Sequence, residues 1–238
     1  ICKALKWVLR NHNKYNIRIV NMSIGDDEAC SYKESEVDIL AERLVEAGIV
    51  VIAAVGNNEN DSIKPPANAL NVISIGGVDD ENTFTRSPGK LYHSTYGRTV
   101  DGLMKPELLA HAIWIAATIL PGTREHAESK ALHAILEAGD ADIRSVLRKE
   151  HAKTQLGEEI GNCADTAGIR KLIVHRIQQC KYISPDYMHV DGTSFAAPIV
   201  CAVIAQLLEA EPSLTPAMIR NTLFSTAMRL EGLPAERQ

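Results

Sequence analysis

One stretch constrains this chain more than any other: Asp191-Gly192-Thr193-Ser194-Phe195-Ala196-Ala197-Pro198, running without a break into the apolar segment Ile199 to Leu208. A helix that is apolar on nearly every side is expected to be buried. Pro198 is compatible with it, because proline is accommodated in a first helical turn and breaks a helix further in. Ser194 then stands where the helix begins. There it meets N–H groups without intrahelical partners and a partial positive charge, a setting that stabilises developing negative charge. Taken alone, a serine in this place is more commonly a plain N-terminal cap, so the rest of the chain has to decide its role.

The preceding sequence alternates strand and helix patterns. Ile1, Ala4, Leu5 and Val8 share a helical face; Ile17 to Ser23 is short and β-branched and ends before Gly25; Lys33 to Ala47 has helical spacing and is stopped by Gly48; Ile49 to Val55 and Asn71 to Val78 read as buried strands. This alternation predicts an α/β fold, a parallel sheet with helices on both faces. Sites in such sheets gather at the carboxyl ends of strands, where Ser23-Ile24-Gly25 and Gly56-Asn57 fall. By itself Gly56-Asn57-Asn58 reads more readily as a plain turn after a strand. Helical stripes over Glu125–Leu136, Asp140–His151 and Thr166–Lys181 predict a small helical subdomain, and Thr215-Pro216 opens a last helix to about Ala227.

Composition narrows the partners. Twenty-five basic against thirty acidic residues give a formal charge of -5 with no basic block, which argues against a nucleic-acid surface. The longest apolar runs, near Ile113 and Ala196, are too short or interrupted to cross a bilayer, so no membrane partner is expected. Five cysteines, odd in number and without a C-x-x-C pair, point to neither a disulfide framework nor zinc, and lean towards a cytoplasmic rather than a secreted setting. His126, His133, His151 and His175 lie on helical stripes without an H-E-x-x-H pattern; they are expected on exposed faces, and neither metal nor cofactor is predicted.

Gly192-Thr193-Ser194-x-Ala196-x-Pro198 resembles the nucleophile segment of the subtilisin-like serine peptidases. Three further stretches resemble the same family in the same order: Asn21-Met22-Ser23-Ile24-Gly25, Ala53-Ala54-Val55-Gly56-Asn57-Asn58, and Ser94 to Glu107. The resemblance implies a subtilisin-like fold, incomplete at its N-terminus, in three parts. These are the middle of a catalytic domain (1–123), a helical insertion (124–188), and the nucleophile helix with the helix after it (189–238). It also implies Ser194 as nucleophile and Asn57 as an oxyanion donor. Ser23, Ile24 and Gly25 would pair with the substrate backbone, and Ala53, Ala54 and Gly56 would wall the pocket for the residue before the scissile bond. Thr193 would complete the substrate-binding set. The apolar Ala53-Ala54-Val55 wall hints at an uncharged side chain in that pocket.

Two departures stand out. Ala110-His111-Ala112 replaces the family's Ala-Pro-Gly turn, and compact members carry only a short loop where this chain runs from Arg124 to Val190. The insertion, tethered near Ser194, is expected to overhang the cleft. Pro66 matches a point where the family often carries a cis proline, with a trans turn equally open. In the family the activating aspartate and histidine precede the serine, and no histidine here is followed by glycine. His189 is close in sequence, but an extended approach would hold it out of reach. The expectation is therefore a serine endopeptidase acting on polypeptides, whose base lies in a preceding segment. Without that segment the chain would be inactive and its first strand edge uncovered. The alternative is a non-catalytic relative that binds peptides.

Overall fold

The computed structural model describes residues 1–83, 90–163 and 165–230, so the last eight residues of the 189–238 part lie outside it. The chain runs α1 (Cys2–Tyr15), β1 (Ile19–Met22), α2 (Glu36–Glu46), β2 (Val50–Ala54), β3 (Ile73–Asp79), β4 (Lys90–Leu91), β5 (Gly97–Arg98), β6 (Met104–Lys105) and β7 (Leu108–His111). It continues with β8 (Ile115–Thr118), α3 (Arg124–Glu137), α4 (Ile143–Glu150), α5 (Thr166–Gln179), β9 (Tyr182–Ser184) and β10 (Tyr187–Val190), then α6 (Thr193–Ala210) and α7 (Pro216–Thr226). Two compact units result: Ile1–Trp114 with Asp191–Gln238, and Ile115–Val190.

The first unit is built on a sheet in which β1, β2, β3 and β7 run parallel and β4 pairs antiparallel with the end of β3. The period of two along β2 sorts its side chains between faces. Val51 and Ala53 join Leu5 of α1 and Val37, Leu40 and Leu44 of α2 in one core. Val50 and Ile52 join Ile73 and Ile75 of β3, Ala196, Ala197, Val200 and Ile204 of α6, and Ile219 of α7 in the other. Helices thus cover both faces, as the alternation of patterns requires. Residues Ala110 and His111, expected in a turn, instead continue β7 in register with Gly77 and Val78 of β3. Without proline or glycine to bend it, the strand runs on, and a Cβ at Gly77 would fall 2.4 Å from that of Ala112. Pro65–Pro66 is cis.

α6 departs from expectation in two ways. It buries only Thr193, Ala196, Ala197, Val200 and Ile204, one helical face, and leaves Ala202, Val203 and Ala205 exposed. At 18 residues with a mean hydropathy of 1.6 it is also long and apolar enough, by length and composition alone, to cross a membrane. Its buried face packs on the sheet through the second core. Lys105, fully buried, donates from Nζ to Val72 O (2.9 Å) and Glu107 Oε1 (2.6 Å), and Glu107 also takes Arg220 of α7 at 3.0 Å. Burial pulls the lysine's pKa down, while the Glu107 charge opposes that shift.

The second unit is wider than the 124–188 insertion and not purely helical. β8, β10 and β9 form an antiparallel sheet, so the unit begins and ends on paired strands, Val190 facing Ile115. Its core is Leu132 and Ile135 of α3, Ile143 and Leu147 of α4, Ile169 and Ile173 of α5, with Ile119, Ile160 and Tyr182. Two of its histidines are not on open faces. His133 is buried with Nδ1 on Ser129 O at 2.8 Å, and His126 Nε2 meets Asp186 Oδ1 at 2.8 Å. Among the described residues there is no group of three or more metal-ligating side chains, and all five cysteines are free.

Candidate active site

The start of α6 is held in place from both sides. Gly192 donates its N–H to Ala112 O at 2.6 Å, and Asp191 Oδ1 accepts from Trp114 N at 3.3 Å. Gly192 has φ of +135°, a backbone that L side chains rarely adopt, which explains glycine at the point where the chain turns into the helix. Thr193 is fully buried. Its N–H donates to Asn57 Oδ1 at 2.8 Å, and its hydroxyl accepts from Gly56 N–H at 3.3 Å while lying 3.1 Å from the same Asn57 oxygen.

That arrangement fixes the Asn57 amide. With Oδ1 engaged by Thr193, the Nδ2 group is the free end, 3.5 Å from where a Cβ on Gly192 would sit. The loop beneath it is braced by Thr95, whose N–H donates to Gly56 O (3.2 Å) and whose hydroxyl donates to Asn58 O (2.8 Å). Gly56 has φ of +108°, and a Cβ there would lie 2.8 Å from Thr95 Oγ1, so no other residue fits without displacing the loop. Ser23, just past β1, receives Asn21 Nδ2 at 3.1 Å and donates its own hydroxyl to Ser194 O at 3.0 Å. This bond crosses 171 positions of sequence and fastens the first turn of α6 to the end of the sheet.

These groups share one cleft of about 290 Å³. Ser194, Thr193, Asn57, Gly56, Ala54, Ser23, Ile24 and Gly25 all line it, which brings together eight of the nine residues marked from the sequence. Ala53 is the exception. It is fully buried on the α1 and α2 face of β2, because side chains alternate along the strand and Ala54 takes the cleft side. Sequence reading missed Asp26, Asp61, Ser62, Lys64 and Thr95, which also line the cleft. Asp26 follows directly on Gly25, and Lys64 on the loop before Pro65-Pro66. Charge next to the motifs was the available signal.

The cleft is therefore charged. Lys64 Nζ donates to Asp61 Oδ2 at 2.8 Å, and Asp61 Oδ1 takes Ser62 N–H at 2.8 Å; together, the lysine first, they hold the Asp61 carboxyl below the usual range. Asp26 Oδ1 accepts from Asp27 N at 2.8 Å. A hydroxyl at the head of a helix, a neighbouring free amide and the Ser194 N–H of the first turn, whose neighbours Thr193 N–H and Phe195 N–H are already bonded, are the parts of a site that can hold negative charge on a carbonyl oxygen. Among the described residues that line the cleft there is no histidine.

The subtilase family model, Peptidase S8, matches residues 1–238, and the chain belongs to that family. It is 26% identical over 233 residues to "Serine protease AprX" of Bacillus subtilis (strain 168), covering 94% of this chain and 41% of that protein. It is 29% identical over 137 residues to "Subtilisin-like protease 2" of Trichophyton rubrum, covering 56% of this chain and 30% of that one. The chain thus spans less than half the length of these curated relatives. Among solved structures, "Sphericase" superposes with a TM-score of 0.58 at 15% identity, over 95% of this chain and 54% of that one, and "S41 Psychrophilic Protease" with 0.57 at 15% over the same shares. These two likenesses establish the fold.

Proposed function

We propose that this chain carries the nucleophile and oxyanion-binding half of a serine endopeptidase site. Ser194 Oγ attacks the carbonyl carbon of a peptide bond as its proton passes to a base. The carbonyl oxygen, now negative, takes N–H bonds from Asn57 Nδ2 and from Ser194 N–H in the first turn of α6. Collapse of the tetrahedral adduct expels the amine, which receives the proton, and leaves the acyl group on Ser194. Water then releases the acid by the same steps in reverse. Ser23 to Gly25 present backbone to the substrate, Ala54 and Gly56 wall the pocket before the scissile bond, and Thr193 serves by holding Asn57 rather than by touching substrate.

The observation that carries this reading is the pair of bonds from Thr193 to Asn57 Oδ1, which leaves the amide N–H groups of Asn57 free in the cleft that Ser194 also lines. The base and its orienting aspartate are proposed to come from a polypeptide segment outside residues 1–238, because no histidine of the described cleft stands ready. The exposed apolar face of α6 and the edge position of β1 in the described sheet give such a segment a place to pack. On this reading residues 1–238 alone neither cleave peptides nor stay monodisperse.

The test is fluorophosphonate labelling of the full-length protein: an adduct on Ser194, lost in Ser194→Ala. In the same protein Asn57→Ala is expected to lower kcat by roughly a hundred- to a thousandfold with KM little changed, a magnitude taken over from a member of the family rather than derived from this chain. The second reading, a peptide-binding relative without catalysis, is favoured by the absence of a histidine among the described residues that line the cleft. It predicts peptide binding with neither adduct nor turnover.

A further inference from the structure

Resting on the peptidase reading, we infer that the cleft selects a cationic side chain, arginine or lysine, for the residue before the scissile bond. The sequence alone points to an uncharged pocket, on the strength of Ala53, Ala54 and Val55. The fold narrows that wall: Ala53 packs wholly into the core shared with α1 and α2, and Val55, though it reaches the cleft, is itself largely buried in that core. Beside Ala54, Val55 and Gly56 the cleft is also lined by the charged Asp26, Asp61 and Lys64.

The balance of charge decides the sign. Lys64 is committed to Asp61, and both Asp61 oxygens are engaged, one by the ammonium and one by Ser62 N–H. Asp26 uses only Oδ1, on Asp27 N, and its second oxygen takes no hydrogen bond from a described residue. Two carboxylates against one ammonium leave the lining with one net negative charge. Asp26 is held near this wall by its N–H bond to Pro65 O at 2.9 Å, next in sequence to Lys64. A guanidinium or ammonium entering the cleft finds an open carboxylate oxygen. A carboxylate finds a cation already paired and a like charge beside it, and an apolar side chain must displace water from charged groups without replacing its hydrogen bonds. Because the charges are partly solvated, the discrimination is moderate and weakens with salt.

The experiment uses the full-length protein and peptide substrates that differ only in arginine, leucine or glutamate before the scissile bond. The expected order of kcat/KM is arginine, leucine, glutamate, with an arginine-to-glutamate ratio of about ten or more at low salt that shrinks at high salt. Asp26→Asn, which brings the lining to zero net charge, should cut that ratio about threefold to tenfold, and Asp26→Asn with Asp61→Asn, which leaves Lys64 uncompensated, should invert it. Fluorophosphonate labelling of Ser194 checks that each variant is folded and competent. A wild-type ratio near one or favouring glutamate, or a ratio that neither variant moves while labelling persists, overturns this inference alone. Absence of labelling in the wild type overturns the peptidase reading and this inference with it.

Discussion

Each unit of the molecule buries a carboxylate, and the two are treated in opposite ways. In the second unit Glu128 of α3 is almost wholly buried and surrounded by donors. Arg176 of α5 grips it with Nε at 2.9 Å and Nη2 at 3.3 Å, Gln155 N–H adds a bond at 3.0 Å, and the Tyr182 hydroxyl lies at 3.3 Å. In the first unit Asp38 of α2 is fully buried, and neither carboxylate oxygen has a hydrogen-bond partner; Asn68 Oδ1 nearby is likewise buried and unpaired. Burial pushes the Asp38 carboxyl up to about 7, an effect that neighbouring Ser35 and Asn68 offset only in part. A buried charge is tolerable when paired and hydrogen-bonded, and otherwise the group takes up a proton. Glu128 follows the first course and Asp38 the second. Orphaned oxygens without a donor between them are satisfied most simply by one proton on Asp38.

This contrast can be broken by substitution. The largest effect is expected at Glu128→Ala, which strands Arg176 and leaves the Gln155 and Tyr182 donors without their acceptor; the second unit should lose about 3 kcal/mol, measured by hydrogen exchange of its core amides in α3 and α5. Next is Asp38→Asn, whose effect depends on pH. The folded pKa lies above the unfolded one, so between about pH 4 and 7 the native state retains a proton that the unfolded chain has released. Wild-type stability therefore falls as pH rises through that window and levels off above it. The amide variant has no such slope and should be the more stable form at pH 8 by on the order of 2 kcal/mol, less than the full linkage value because the site can relax and admit water. Equal slopes for the two proteins would sink the protonated-Asp38 account.

The smallest effects belong to the helix caps. Ser35 Oγ accepts from Asp38 N at 3.2 Å at the start of α2, and Asp165 Oδ1 accepts from Gly168 N at 2.7 Å at the start of α5. Alanine at either position should cost about 1 kcal/mol by thermal melting. Only Ser35→Ala should also move the pH-dependent fall to higher pH, because Ser35 is among the groups that hold the Asp38 pKa down.

Much of the architecture was legible in the residues. The β-branched runs at Ile19–Met22, Val50–Ala54 and Ile73–Asp79 and the periodic stretches between them needed only their own spacing to declare strand and helix. The serine at the head of α6 and the Gly-Asn loop could be marked because glycine, threonine and serine stand in a fixed order there. Short pairings could not be read. β8, β9 and β10 hold three or four residues each and exist because each finds the others, so the second unit looked purely helical. Continuation of β7 through Ala110 and His111 likewise depends on its neighbour β3.

Sequence by itself settled the helices and the strands β1, β2 and β3, and that Ser194 opens an apolar helix while Gly56-Asn57 follows a strand, because these depend on neighbours within one or two turns. Tertiary structure alone decided that Asn57 turns its oxygen to Thr193, that Ala53 faces away from the cleft while Asp26, Asp61 and Lys64 line it, and that α6 buries one face and bares the other. Those outcomes are set by groups up to 171 residues apart meeting at the end of a sheet. Local spacing carries a residue's conformation, but only the packed chain determines what stands opposite it.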